Sequence, residues 1–185
     1  MLSCSVLERI ALLNSSAPSF FRMIQDELWE MSLLHLARLT DPANSLGRND
    51  KQNLTIQALP ALIDDATLKA NLAHVVDRAV RQTAFCRDWR NRRIAHRDLK
   101  LALDDATAPL ADASRAQVSD ALKTISDVLN TLAVHYLKSE TRFDLAARHT
   151  GALGLLYLLD DGLRVREQRA KRLEAGNPTE TVANV

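Results

Sequence analysis

Apolar positions recur along this chain at three- and four-residue intervals, the period of helices that bury one face. Leu2, Val6, Ile10 and Leu13 predict a short first helix over residues 2–14. Ser15-Ser16-Ala17-Pro18 then signals a break and a new start, because serine caps and proline suits a first turn. The second helix is expected over 18–39, with one stripe of Phe21, Ile24, Leu28 and Met31 and an adjacent one of Trp29, Leu33 and Leu36. Thr40-Asp41-Pro42 stops it. Residues 43–53 are polar and turn-rich, a long loop of the kind that is often functional. A short helix is expected near 54–62, with Pro60 at its start or kinking it.

The fourth helix is expected from Ala66 to at least Ala95, capped by Asp64 or Asp65, and is followed by a connector over 99–111. Ser114 caps a fifth helix over 115–139, whose stripe Val118, Leu122, Ile125, Leu129, Leu132, Tyr136 is the cleanest core signal. A sixth, over 150–175, carries Leu155, Leu156, Leu159 and Leu163 before turning charged. No strand hairpin and no internal repeat are expected. The reading is all-α: a single-domain helical bundle of five to six helices over 1–175, with a loose tail at 176–185.

Composition supports this, since glycine and proline number only five each. A net charge of +1 excludes a globally basic nucleic-acid coat, so any such binding must be local. Cys4 and Cys86 have no metal-type spacing and read as reduced thiols of a cytoplasmic protein. No apolar run reaches the roughly 18 residues of a membrane span. The five histidines form no two-histidine metal motif, so no metal and no cofactor are expected. The acid pairs Asp64-Asp65, Asp104-Asp105 and Asp160-Asp161 read as caps, turns or helix-surface partners.

One segment changes the picture. Leu72, Val76, Ala79, Thr83 and Cys86 form an apolar or small stripe on the fourth helix, and Arg90 continues it. A guanidinium there needs an anion, either a ligand or an acid such as Asp41 or Asp98. Around it Arg87, Arg90, Arg92, Arg93 and Arg97 face only Asp88 and Asp98, so the local charge is positive. That charge should lower the basicity of His96 and keep it ready to accept a proton. These are the parts of metal-free RNA cleavage: His96 to take the 2′-hydroxyl proton, Arg90 to stabilise the phosphate, Asn91 to orient phosphate or imidazole. On a straight helix Arg90 and His96 stand about 120° apart and about 9 Å along the axis. One site then needs a forward-reaching Arg90, a bend, or a second copy of the chain. Trp29 and Trp89 read as core anchors.

Trp89-Arg90-Asn91-Arg92-Arg93-Ile94-Ala95-His96-Arg97-Asp98 resembles the Arg–polar–spacer–His motif of the HEPN superfamily, and its surroundings are similar to the abortive-infection U-type branch. Ala37-Arg38-Leu39-Thr40-Asp41-Pro42 and Leu155-Leu156-Tyr157-Leu158-Leu159-Asp160-Asp161-Gly162-Leu163 extend the resemblance over roughly 18–175. It implies a helical bundle, dimeric through the fourth-helix region. The activity it implies is a metal-independent endoribonuclease of phage defence or a toxin–antitoxin pair, with an antitoxin protein as a further partner. It also implies Arg90 and His96 as catalytic, Asn91 as accessory, and Arg87, Arg92, Arg93 and Arg97 as RNA contacts. Arg38 and Asp41 would brace the site as an ion pair or a supporting contact, alongside Trp89 and Asp98. The family also holds members that bind without cutting, so a non-catalytic module binding nucleotide, RNA or protein is the alternative.

Overall fold

The computed structural model describes residues 5–45, 48–95, 98–103, 109–143 and 151–176. The fold is all-α apart from one short hairpin. Its elements are α1 (Val6–Ser16), α2 (Pro18–Leu39), β1 (Asn44–Ser45), β2 (Arg48–Gln52), a 3-10 helix (Ile56–Leu62), α3 (Ala66–Gln82), α4 (Ala84–Trp89), a π-helical turn (Arg90–Ile94), α5 (Leu99–Ala102), α6 (Arg115–Leu137) and α7 (Ala152–Glu174). The expected tail falls, past Gly176, outside the described residues. No described helix is long and apolar enough to cross a membrane.

Polar caps set the helix starts by satisfying orphan amides. Ser5 and Glu8 form a capping box on α1, and Ser114 and Gln117 form one on α6. Asp65, one of the two aspartates expected, accepts from Leu68 N at 2.7 Å at the start of α3. α6 ends on Lys138, whose φ of 52° is left-handed.

Two expectations fail locally. The polar run after α2 contains an antiparallel hairpin, pairing Asn44 with Gln52 and Ser45 with Arg48. Its residues lack the alternating apolar pattern that announces a strand. The single fourth helix is in fact three segments. α3 stops at Thr83, whose hydroxyl lies 2.9 Å from the Ala79 carbonyl, and such back-bonding bends helices. α4 follows, and its last turn widens into the π turn.

The chain divides into two units. In the unit of residues 27–145, α3 packs on α6 and on the 3-10 helix. All the fully buried apolar side chains among the described residues lie here, from Leu33 to Val128. Leu33, Leu72, Ala79, Cys86 and Val128 have no exposed surface, and burying a leucine is worth about 2–3 kcal/mol. The α6 stripe is displaced from the expected one. Ala121, Thr124, Ile125 and Val128 are buried, whereas Leu122, Leu129 and Tyr136 are exposed. Ile125 belongs to both sets, and Val118 and Leu132 of the expected stripe are partly buried against the core, so the buried face is turned by part of a residue step rather than replaced. Arg78 and Asp127 close the same contact with a 2.7 Å ion pair. In the other unit α1 packs on α7, and neither helix has a buried residue.

Candidate functional site

The site is built on the C-terminal end of α2, where carbonyls run out of intrahelical partners. Thr40 Oγ1 donates to Leu36 O at 2.8 Å. Gln57 Nε2 donates to Thr40 O at 2.7 Å. Thr55 Oγ1 lies 2.9 Å from Leu39 O and 2.7 Å from Asp41 O. Residues 55–57 thus hold the turn that presents Asp41.

A buried hydroxyl pair joins this turn to the motif helix. Thr40 and Thr83 have no exposed surface and their Oγ1 atoms are 2.8 Å apart. Arg87 Nη1 donates to both, at 3.2 and 3.3 Å, and Nη2 donates to Val80 O at 2.7 Å. The Arg87 guanidinium, expected as an RNA contact, is therefore directed into the junction of α2, α3 and α4.

One turn on, Arg90 Nη1 donates to Asp41 Oδ2, and Arg90 Nε donates to Asn91 Oδ1 at 3.0 Å. The side chains of Arg90 and Asp41 are 24% and 18% exposed. Of the two acids weighed for Arg90, Asp41 is the partner. Asp41 does not pair with Arg38, which is exposed. The chain leaves the helix at Thr40, so Arg38 and Asp41 lose the shared face that such spacing has in a helix. Arg90 Nη2 takes no hydrogen bond among the described residues, and Asp41 Oδ1 is buried without a partner. The pair holds the guanidinium in one orientation and leaves one edge for another anion.

The backbone at Arg90 is wide. Ala95 N donates to Arg90 O at 2.8 Å, a five-residue span, and Asp98 N donates to Arg92 O at 2.9 Å, a six-residue span. A straight α-helix closes four-residue spans, so the projection of Arg90 against His96 does not apply past Arg90. His96 and Arg97 themselves lie outside the described residues.

Acids meet the remaining arginines. Arg92 Nη1 donates to Pro109 O at 2.9 Å, lies 3.5 Å from Asp88, and has its Nε 4.0 Å from Asp98. Asp98 also caps α5, accepting from Lys100 N at 2.9 Å. Arg93 Nε donates to Glu30 Oε1 at 2.8 Å, with its guanidinium 5.4 Å from the Trp89 ring centre. Trp89 packs against the core and donates from Nε1 to Ala111 O at 2.8 Å, while Asp88 accepts from Ala111 N at 2.8 Å. Two neighbouring side chains of α4 thus grip both backbone groups of one connector residue.

Among the described residues, acids therefore meet three of the five arginines of the patch read from the sequence. Arg90, Arg92 and Arg93 each meet a carboxylate, and two of those, Asp41 and Glu30, come from α2 and the turn after it. Sequence reasoning missed Glu30, Thr40 and Thr83, since contacts 43 to 63 residues apart leave no local signal. Among the described residues no three His, Cys, Asp or Glu side chains cluster to hold a metal ion. Burial pushes the Cys86 thiol up to about 11, against a smaller lowering by Arg87.

A family model described as AbiU2, of the HEPN group, matches residues 7–152. The chain belongs to the HEPN AbiU2 family. Comparison with curated proteins gave no match, and neither did comparison with solved structures. The AbiU2 match takes in α1 through α6 and the whole arginine-rich segment, and ends where α7 begins. Within this AbiU2 chain, Asp41, Asn91 and Arg90 come together, Arg87 braces the helix junction, and Arg92 and Arg93 line the adjoining surface.

Proposed function

We propose that this chain is a metal-independent endoribonuclease of the HEPN type, acting as a cytoplasmic homodimer in phage defence or as the toxin of a toxin–antitoxin pair, with an antitoxin protein as its partner. The observation that carries the reading is the Arg90 guanidinium, fixed by Asp41 and Asn91 with its Nη2 taking no hydrogen bond among the described residues, six residues before His96 in a HEPN AbiU2 chain. His96 takes the proton of a ribose 2′-hydroxyl, whose oxygen attacks the adjacent phosphorus. The P–O5′ bond breaks, the 5′ oxygen takes a proton from water, and a 2′,3′-cyclic phosphate remains. Arg90 stabilises charge on the non-bridging oxygens, and a donor held in place before reaction does so without reorganising. Asn91 and Asp41 orient Arg90. A second copy meeting through the α4 region would bring two such sets to one groove.

The test is cleavage of single-stranded RNA by the purified protein in EDTA, with the product ends identified. His96→Ala should lower the rate at least about 100-fold while the thermal melt stays unchanged. Cleavage at the native rate in that variant refutes the assignment of His96. Arg90→Lys keeps the charge but loses the fork, and should cut far more slowly.

The partial burial of Arg90 against Asp41 favours one second reading, a module that holds RNA or nucleotide without cutting it. Binding lost in Arg90→Lys, with no cleavage by the native chain, would establish that reading instead.

A further inference from the structure

A cleft of about 290 Å³ is lined by Glu30, Arg92, Arg93, Asp98, Leu101 and Ala102. Its two arginines are held very differently. Arg92 is 21% exposed and meets Asp88, Asp98 and the Pro109 carbonyl. Arg93 is 52% exposed, and Glu30 meets it through Nε alone. Its two Nη groups take no hydrogen bond among the described residues. The Trp89 ring under the guanidinium is anchored at Ala111, so Arg93 has a fixed platform and an exchangeable anion.

We propose that this cleft is a phosphodiester subsite for single-stranded RNA, in which Glu30 occupies Arg93 as an internal stand-in for the phosphate. The inference rests on the RNA reading above and adds a second contact point and a named competitor to it. Carboxylate and phosphate oxygens both accept from guanidinium N–H groups, so a phosphate can take the place of Glu30 and add the Nη contacts that Glu30 does not make. An ion pair this exposed is weak, so its exchange costs little. Leu101 and Ala102 supply an apolar wall on which a sugar or base can rest. Arg92, tied to acids and a carbonyl, shapes the cleft rather than opening it.

The experiment measures the binding of a short labelled oligouridylate by fluorescence anisotropy. It uses the full chain carrying His96→Ala, so that bound RNA stays intact. Glu30→Gln removes the competing charge and keeps the side-chain shape; it should tighten binding about two- to fivefold. Arg93→Gln should weaken binding, and adding Glu30→Gln to it should then change nothing. Equal or weaker binding by Glu30→Gln overturns the subsite, as does a tightening that persists without Arg93. Cleavage by the native chain, lost in His96→Ala, alongside an inert Glu30→Gln leaves the nuclease standing and removes the subsite alone. Absence of both binding and cleavage removes the two together.

Discussion

Cys86 lies one helical turn before Arg90, and the two residues show what could and could not be read in the sequence at the scale of single side chains. The stripe Leu72, Val76, Ala79, Thr83, Cys86 is buried as its spacing requires. The next position of that stripe demands an anion once it is arginine, and the sequence exposes the demand without naming the acid. Asp41 is 49 residues earlier, brought over by the Thr40–Thr83 hydroxyl contact and the Thr55 bond to the turn. Cys86 itself has a thiol pushed up to about 11 from an ordinary 9.0 by burial. The unfolded chain therefore loses this proton first as pH rises, so native stability falls through that window. The stability advantage of the native chain over Cys86→Ala should shrink by about 2 kcal/mol between pH 9 and pH 11, measured by urea unfolding. An advantage constant across that range would contradict the buried thiol.

Helices were legible as elements, and their interruptions were not. The apolar period located α2, α3, α6 and α7 because periodicity reports a face, and faces persist through a break. The π turn changes the phase of the helix without changing its composition, so the stripe appeared continuous from Leu72 through Arg90. On α6 the period was right and half of the stripe reached the core, Ile125 buried and Val118 and Leu132 packed against it, while Leu122, Leu129 and Tyr136 stayed exposed and Ala121, Thr124 and Val128 were buried instead. The connector after α5 is another element-level surprise, since Ala111 is held by Asp88 and Trp89 rather than left as a loose link. Trp89→Phe deletes one of those two bonds and keeps an aromatic ring under Arg93. It should lower the unfolding free energy by about 1–2 kcal/mol, seen as a shifted denaturant midpoint with an unchanged slope. An unaltered midpoint would mean that the connector is not held by this bond.

For the whole molecule, composition correctly indicated an all-α chain with little net charge, and the motif correctly indicated its family. What composition cannot convey is where the core concentrates. Among the described residues the buried apolar side chains fall between Leu33 and Val128, while α1 and α7 bury none, although their leucine patterns look equally suited. Charge placement was the other hidden quantity, because an arginine-rich string looks cationic until its acids arrive from α2. The pairing of Arg90, Arg92 and Arg93 with Asp41, Asp88 and Glu30 also has a kinetic meaning. An RNA strand approaching this face meets little long-range field, so diffusion rather than steering governs the encounter. Association should run near the unsteered range of about 10⁵–10⁶ M⁻¹s⁻¹ and vary little with added salt in stopped-flow mixing. A steep fall of that rate with salt would show that the arginines are not neutralised in solution. If the proposed exchange of Glu30 for a phosphate holds, selectivity among RNA strands would reside in how long each one stays rather than in how fast it arrives.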